Sequence, residues 1–286
     1  MTAVVVVGSV NLDAITTCER FPRPGETVTG VSVAFGQGGK GANQARSAAR
    51  AGASTVFVGA VGNDDAAVTV LGSLESAGVD VTQVRRVSES TGFANVTVDG
   101  SGENHIVVVP GANESVTVDE GARAVIAAAD VVLLQLEIPL PVVIEAANAA
   151  RASGAVVLLN PSPVIPLPDE LVDLLDGVIV NRDEAAALAE AVRRVPNVVT
   201  TLGGDGARAS GPHGTVESPG FAVHVVDTTG AGDAFAGALA AYWHLPPAER
   251  LLRANVAGAL TAAAAGAAAA PSSTEIDAFL ARSRTH

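Results

Sequence analysis

Short apolar runs alternate along the chain with stretches whose apolar residues follow a helical spacing. The runs are rich in β-branched and aliphatic residues, as is typical of strands buried on both faces, and they cover 3–8, 55–60, 130–136, 155–160, 177–180 and 197–202. Helices are predicted over 40–51, 64–77, 140–152, 183–190, 232–243, 247–266 and 273–283. This alternation predicts an α/β protein with a central, mostly parallel sheet and helices on both faces.

Two segments depart from this alternation. Residues 14–36 and 91–109 alternate with a period of two around the turn signals PRPGE and DGSGEN, and neither has a helical pattern. We predict that they form a small β-sheet lid on a single α/β domain, residues 1–286, and that this lid shields the site from water. The alternative is that these segments are ordinary β-strands outside the main sheet, without a lid function. The run HIVVV in the second segment predicts a homodimer through the lids, because exposed edges and apolar faces favour a partner.

Composition narrows the possible partners. The chain of 286 residues has a formal net charge of −13, which argues against nucleic acid and anionic membranes as partners. Its single cysteine, Cys18, excludes an internal disulfide and suits a reducing compartment. The amino-terminal stretch lacks the features of a signal peptide, and no long apolar run favours a membrane span. We therefore expect a cytoplasmic protein.

Polar residues follow directly after most of the predicted strands. They are Asn11 and Asp13, Glu137, Asn160, Asn181 and Glu184, and finally Thr201, Gly203 and Gly206. Ligands of open parallel sheets bind beyond the carboxyl ends of the strands, so these residues are expected to meet at one edge. Two of these groups also have a simpler interpretation, which is a turn for Asn11 and Asp13 and a capping box for Asn181 and Glu184.

The stretch DTTGAGDAF, residues 227–235, combines small residues, a predicted helix start and two carboxylates. Helix starts favour anions, and the small residues Gly230, Ala231 and Gly232 permit close approach by a phosphate. Asp233 could be a simple helix cap, but capping does not require three small residues. The stretch is not a Rossmann fingerprint, and GQGGKGAN at 36–43 is not a P-loop.

Eight motifs, taken together, carry a family resemblance: GSVNLD (8–13), PGETV (24–28), GGKGANQA (38–45), QLEIP (135–139), NPSP (160–163), VNRDE (180–184), TLGGDG (201–206) and DTTGAGDAF (227–235). In this order and spacing, the chain resembles the ribokinase branch of the ribokinase-like (PfkB) carbohydrate kinases over essentially its whole length. The resemblance implies ATP-dependent phosphorylation of D-ribose at its 5-hydroxyl. Another pentose, a ketohexose or a nucleoside is the alternative acceptor, and a non-catalytic sugar- or nucleotide-binding protein is the alternative class.

The resemblance also implies residue roles. Asp233 matches the catalytic base, and the backbone N–H groups of Gly230, Ala231 and Gly232 match an anion hole for the transferred phosphoryl group. The positions that match the sugar-binding set are Asn11, Asp13, Gly39, Lys40, Asn43 and Glu137, together with Asp233. Lys40, the only lysine, is interpreted as a charge on the phosphate side or a structural charge, and Asn43 could instead be a helix-start contact.

Nucleotide and metal positions follow in the same way. The nucleotide-binding positions are Asn181, Thr201, Gly203, Gly206, Gly232 and Asn255. Glu184 is expected to organise Mg²⁺ largely through water, with ATP as co-substrate. A potassium ion is expected as activator, at a site matching Asp227, Thr229, Thr261, Ala264, Gly266 and Ser272. The segment 261–273 is Ala-rich and departs from the family pattern, but ligation by backbone carbonyls would tolerate alanine.

Overall fold

The computed structural model describes residues 1–212, 214–264, 266 and 269–283. Within them the strands are β1 (Ala3–Val7), β2 (Asn11–Cys18), β3 (Gly30–Gly38), β4 (Ser54–Val61), β5 (Val79–Arg86), β6 (Gly92–Val98), β7 (Asn104–Val109), β8 (Val131–Leu134), β9 (Val156–Leu159), β10 (Gly177–Asn181), β11 (Asn197–Thr201), β12 (Gly206–Gly211) and β13 (Gly214–Pro219). The helices are α1 (Lys40–Arg50), α2 (Asp65–Ser76), α3 (Glu120–Ala127), α4 (Leu140–Ser153), α5 (Asp169–Val172), α6 (Arg182–Ala187), α7 (Ala189–Val192), α8 (Ala231–Ala241), α9 (Pro247–Ala262) and α10 (Ser273–Ser283), with 3₁₀ turns at Gly111–Ser115 and Gly203–Asp205.

The main sheet has nine strands in the described part of the chain, in the order β13-β12-β11-β10-β9-β8-β1-β4-β5. Its pairs from β11 through β5 are parallel, and β12 and β13 add an antiparallel edge. The predicted fold class, a mostly parallel sheet with helices and a small separate sheet, is confirmed. Strand β1 lies between β4 and β8, so the chain reverses its strand order there, which is where open α/β sheets bind ligands.

Alternate side chains of each central strand enter two separate cores. Val4 and Val6 of β1 pack with the α1, α2, α8, α9 and α10 layer, whereas Val5 and Val7 pack with the α3, α4 and α5 layer. A strand buried on both faces must be apolar at every position. This explains why the central strands were readable as continuous apolar runs.

Several elements differ from the sequence-based expectation. Strands β5, β12 and β13 and helices α3 and α5 were not predicted, because edge strands and short surface helices lack a continuous apolar run. The helix predicted over 183–190 is two short helices that part at Leu188. Helix α9 ends at Ala262 instead of residue 266.

Two glycines let α1 and α8 approach the central strand and each other. A Cβ on Gly41 would lie 2.6 Å from the Ser9 backbone nitrogen, and a Cβ on Gly237 would lie 2.3 Å from the Gln44 carbonyl oxygen. The Ser47 hydroxyl donates to the Ala234 carbonyl at 2.6 Å, across the same contact. The start of α1 is therefore held against both β1 and α8, and this contact positions the site described below.

The small sheet has the order β3-β2-β6-β7, with β2 and β6 parallel and both outer pairs antiparallel. Its strands lie in the two segments that showed a period of two, although β2 begins earlier, at Asn11, and β3 ends later, at Gly38. Asp64 joins the body to β6 by accepting hydrogen bonds from the Thr91 backbone (2.8 Å) and hydroxyl (2.6 Å). Among the described residues, no helix is both long and apolar enough to cross a membrane.

Candidate active site

Asp233 lies in the first turn of α8 and is 8% exposed. Its carboxylate does not cap its own helix, because the N-cap residue is Gly230 and the carboxylate accepts from side chains of α1. Gln44 donates to Oδ1 at 2.8 Å, and Asn43 donates to Oδ2 at 3.3 Å. The simple capping interpretation of Asp233 is therefore wrong, and the side chain is held from the neighbouring helix.

The protonation of Asp233 depends on opposing effects. Burial raises the pKa of its carboxyl above the usual range, and the negative charge of Glu137 acts in the same direction. The positive charge of Lys40 and the hydrogen bonds from Gln44 and Asn43 lower the pKa in opposition. A buried carboxyl with a raised pKa at the rim of a cavity has the properties of a proton acceptor.

The turn before α8 offers backbone donors beside this carboxylate. Gly230 adopts the left-handed conformation, with φ at 77°, which only glycine adopts readily. The N–H of Ala231 donates to the Thr228 carbonyl at 3.2 Å, so it already has an acceptor in the turn. The first intrahelical bond runs from the Ala234 N–H to the Gly230 carbonyl, which leaves the Gly232 and Asp233 N–H groups among those at the helix start that can meet an anion.

A cavity of about 210 Å³ opens beside Asp233. Its lining brings together eight of the residues singled out from the sequence: Lys40, Asn160, Asn181, Glu184, Thr201, Gly230, Gly232 and Asp233. Ser162, which follows β9 with Asn160, also lines it. The residues come from the ends of three strands, β9, β10 and β11, and from the starts of three helices, α1, α6 and α8, as the topology of a parallel sheet predicts.

The predicted sugar-binding residues surround the start of β2. Asn11 accepts a hydrogen bond from Asn113 at 2.8 Å, which orients its amide. The Asp13 Oδ1 atom is buried and has no hydrogen-bond partner within the described residues. Burial, followed by the charge of Glu137, raises the pKa of Asp13 to about 6. A buried carboxylate oxygen without a donor is suited to a ligand that brings hydroxyl groups.

Glycines surround the Asp13 carboxylate at positions where a larger residue would not fit. A Cβ on Gly38 would lie 2.0 Å from the Asp13 carboxylate, and a Cβ on Gly39, whose φ is 85°, would lie 2.8 Å from the Val10 Cα. Glu137 closes the opposite side, where Oε2 accepts from the Ser9 hydroxyl at 2.6 Å and from the Lys40 N–H at 2.9 Å. These contacts join the ends of β1 and β8 and the start of α1.

On the other side of the cavity, Asn181 and Glu184 form a capping box at the start of α6. The Asn181 side chain accepts from the Glu184 N–H and the Glu184 carboxylate accepts from the Asn181 N–H, both at 2.8 Å. The capping interpretation is therefore correct, and it coexists with the position of both residues at the cavity. Oxygen ligands at a cavity rim fit a hydrated Mg²⁺, which binds few protein groups directly.

The remaining predicted nucleotide residues do not line this cavity. Asn255 donates to the Ser218 hydroxyl at 3.0 Å and to the Pro219 carbonyl at 2.8 Å, so its amide fastens α9 to the end of β13. Gly203 and Gly206 have positive φ angles of 62° and 102° and form the turn between β11 and β12. A Cβ on Gly206 would lie 2.0 Å from the Ser218 carbonyl oxygen. The local backbone therefore explains glycine at these two positions without reference to a bound nucleotide.

The segment predicted to hold a monovalent cation is brought together in part. Asp227 accepts from the N–H groups of Thr229 at 2.9 Å and Gly266 at 3.1 Å, which bridges the loop after α9 to the turn before α8. The Thr261 hydroxyl instead donates to the Ala257 carbonyl within α9, and the Thr261 carbonyl accepts from the Ala264 N–H. The Ser272 hydroxyl and N–H both donate to Glu275 at the start of α10.

Several polar residues of the site were not predicted to function from the sequence. They are Ser9, Gln37, Gln44, Asn113 and Gln135, all nearly inaccessible to solvent. Ser9, Gln44 and Gln135 stand within the motifs GSVNLD, GGKGANQA and QLEIP, but their positions in a strand, a helix or a loop gave no reason to assign them a role. A fully buried glutamine on the apolar face of α1 becomes conspicuous only when the packing of α1 is known.

Comparison with known proteins identifies the class of enzyme. A family model described as pfkB family carbohydrate kinase matches residues 1–275. The chain belongs to this family. The family resemblance found in the sequence motifs is confirmed, and so is the enzyme class that it implies, a carbohydrate kinase.

Individual relatives narrow the class. A ribokinase of Haemophilus influenzae is 39% identical, with 81% of this chain and 82% of the relative covered. A bifunctional ribokinase/ribose-5-phosphate isomerase A of Fructilactobacillus sanfranciscensis is also 39% identical over 93% of this chain, which spans only about half (54%) of that relative. The solved structure of Arabidopsis thaliana ribokinase complexed with ribose and ATP superimposes with a TM-score of 0.91, at 32% identity and 98% coverage of both chains.

Proposed function

We propose that this protein transfers the γ-phosphoryl group of ATP to the 5-hydroxyl of D-ribose. The observation that carries the proposal is the buried Asp233 carboxylate, held from α1 at the start of α8 and lining the same cavity as Gly230 and Gly232. The similarity to ribokinases supports ribose as the acceptor. Fold alone would not support a substrate, so the site residues and the relatives are both needed.

In this proposal Asp233 takes the proton from the attacking hydroxyl. A positioned base of this kind contributes about 10²–10⁴-fold in rate. The N–H groups at the start of α8, chiefly that of Gly232, stabilise the negative charge of the transferred phosphoryl group. Gly230 and Ala231 shape the turn that presents them. Lys40 supplies positive charge on the same side of the cavity.

The acceptor is bound by residues with fixed orientations. Asn11, Asp13, Asn43 and Glu137 would bind the sugar hydroxyls, and Gly39 would let the sugar approach the backbone. Asp13 Oδ1, buried and without a donor in the described structure, provides one acceptor that a sugar hydroxyl satisfies. This pocket suits a small polyol.

The nucleotide and its metal ion would occupy the other side. Asn181, Glu184 and Thr201 line the cavity. Gly203, Gly206 and Asn255 lie outside it, along the β11 to β13 edge, where the remainder of the nucleotide would extend. Bound Mg²⁺ would neutralise phosphate charge, with Glu184 holding its water shell.

A potassium ion is proposed at Asp227, Thr229 and Gly266, which the structure joins by hydrogen bonds. Ligation by Thr261, Ala264 and Ser272 stays a prediction, because helical and capping hydrogen bonds already engage Thr261 and Ser272.

A kinase assay across acceptors tests the proposed function. We expect turnover of ATP with ribose to exceed turnover with deoxyribose, fructose and adenosine, and the Asp233→Asn variant to lose most of it. Binding of ribose by the parent without phosphorylation would instead support a non-catalytic sugar-binding protein. Repeating the ribose assay with potassium replaced by a bulky organic cation measures the contribution of the monovalent ion.

We also propose that the protein forms a homodimer through its small sheet. The outer strands expose Val31, Val33 and Phe35 on β3, and the run 106–109 on β7, to solvent. Unpaired strand edges that carry apolar side chains favour a second copy as partner. Light scattering should show a dimer that Val33→Glu converts to a monomer. The matched control is Val68→Glu in α2, an equally exposed valine outside the sheet, and a monomeric parent would contradict the proposal.

A further inference from the structure

Three amide side chains form a buried cluster behind Asp233. Gln44 of α1 donates from Nε2 to Asp233 Oδ1 at 2.8 Å and to Asn160 Oδ1 at 3.1 Å. Its own Oε1 accepts from Gln135 Nε2 at 2.6 Å. Gln44 and Gln135 are fully buried, and Asn160, the half-buried member of the cluster, also lines the cavity. Every polar atom of the Gln44 amide is therefore engaged away from solvent.

Backbone groups fix the direction of these amides. The Ile179 carbonyl can only accept, so Asn160 must present its Nδ2 to it, as it does at 2.9 Å. Asn160 consequently presents Oδ1 to Gln44, and Gln44 must present its NH₂ group. The Asp233 carboxylate likewise needs a donor from Gln44. Asn160 and Asp233 therefore both require the same orientation of the Gln44 amide, which directs its NH₂ group at Asp233 and leaves its oxygen to accept from Gln135.

We propose that Gln44 is a positioning residue for phosphoryl transfer, which holds Oδ1 of Asp233 so that Oδ2 remains to take the proton from the acceptor. Oδ2 has only the longer contact of 3.3 Å with Asn43, so a hydroxyl can compete for it. Gln44 itself does not line the cavity, so in this proposal it acts through Asp233 and not on the transferred group. This inference rests on the proposed function, in which Asp233 is the base.

The hydrogen bond from Gln44 is also one of the interactions that favour the ionised form of Asp233. Burial and Glu137 raise the pKa of the Asp233 carboxyl, whereas Lys40, Gln44 and Asn43 lower it. Loss of the Gln44 donor would remove one of the groups that favour the ionised form. A hydrogen bond to a buried charge corresponds to about one to two pH units. The acid limb of the kcat profile should therefore move to higher pH when Gln44 is replaced.

The test compares Gln44→Met and Gln44→Glu with the parent, using ribose and MgATP between pH 5 and 9. Methionine keeps the size of the side chain and removes the donor. Glutamate keeps an acceptor for Gln135 but places a second carboxyl against Asp233. We expect kcat at neutral pH to fall about 10- to 100-fold in Gln44→Met, with the acceptor KM changed less than about threefold. The acid limb should move upward by about one pH unit, and further in Gln44→Glu.

Gln83→Met in β5 is the matched control, because it makes the same substitution at a half-buried glutamine on the far edge of the main sheet. It should leave kcat, KM and the pH profile at parent values. An unshifted acid limb in both Gln44 variants, or a KM that rises as much as kcat falls, would overturn the positioning role. If Gln44→Met does not fold, Gln44→Glu alone decides by its acid limb. Full activity of Asp233→Asn would instead remove the proposed base, whatever Gln44 does.

Discussion

The two sides of the cavity are built differently. On the acceptor side, which is the side of the sugar, Asp233, Asn43 and Gln44 are buried, and both amides of α1 donate to the Asp233 carboxylate of α8. On the nucleotide side, Asn181 is exposed and Glu184 half-exposed, and their hydrogen bonds close a helix cap. The acceptor side is preorganised before any ligand binds, whereas the nucleotide side offers its groups to solvent. A base must have one geometry and one charge state, but a hydrated metal and a triphosphate bring much of their own order.

The largest effect is expected from Asp233→Asn. The amide keeps the size and most hydrogen-bonding capacity of the side chain but cannot accept a proton. We expect kcat with ribose to fall about 10²–10⁴-fold, with little change in the KM of either substrate. Steady-state kinetics measure this, and a variant as fast as the parent would mean that another group takes the proton.

The packing of the acceptor side can be broken at Gly237. An added Cβ would lie 2.3 Å from the Gln44 carbonyl oxygen, so α1 and α8 must separate. We expect Gly237→Ala to lower the free energy of unfolding by about 1–3 kcal/mol in urea titrations. Gly72→Ala in α2 is the control, because its Cβ meets nothing within 4 Å and should stabilise by up to about 1 kcal/mol. Equal effects of the two changes would contradict the close-packed interface.

The pH dependence of ribose binding tests whether the Asp13 carboxylate, whose buried Oδ1 has no hydrogen-bond donor within the described residues, binds the sugar. The pKa of Asp13 is raised to about 6, and only its ionised form offers two free acceptor oxygens. Ribose affinity, measured by calorimetry without ATP, should weaken about tenfold per pH unit below pH 6. Because the folded pKa exceeds the ordinary 3.8, the ionisation of Asp13 costs stability as pH rises through about 4 to 6. Asp13→Asn should bind ribose weakly and remove this pH dependence; an unchanged pH dependence would exclude Asp13 as its source.

The smallest effect is expected on the nucleotide side. Asn181→Ala removes the cap of α6, which costs about 0.5–2 kcal/mol locally, and should raise the KM for MgATP a few-fold without altering the KM for ribose. Asp119→Ala is the control, because Asp119 caps α3 in the same manner but lies outside the cavity. A change in ribose KM as large as that in MgATP KM would show that the two sides are not independent.

The sequence predicted the body of the fold because its central strands are buried on both faces. Runs such as AVVVV admit few alternatives, and β1, β8, β9 and β10 were each readable from composition alone. Edge elements were missed, since β5 and β12 alternate polar and apolar residues like any surface segment. The predicted end of α9, residue 266, was wrong because the alanines after Ala262 favour a helix, and no glycine or proline precedes residue 266 in this stretch to mark the helix end.

For the site, the sequence by itself determined which residue types stand after which strands, and the motifs around Asp13, Asp233 and Glu184 determined the family. Tertiary structure decided what each side chain does. In the folded chain, the Asn255 amide donates to the end of β13, and the Ala231 N–H donates to a carbonyl of its own turn. Gln44 lies against Asp233 and donates to its carboxylate. The physical reason is that a buried polar group needs a hydrogen-bond partner, and here the partner lies on an element distant in sequence. Gln44 and Asp233, for example, are separated by 189 positions along the chain.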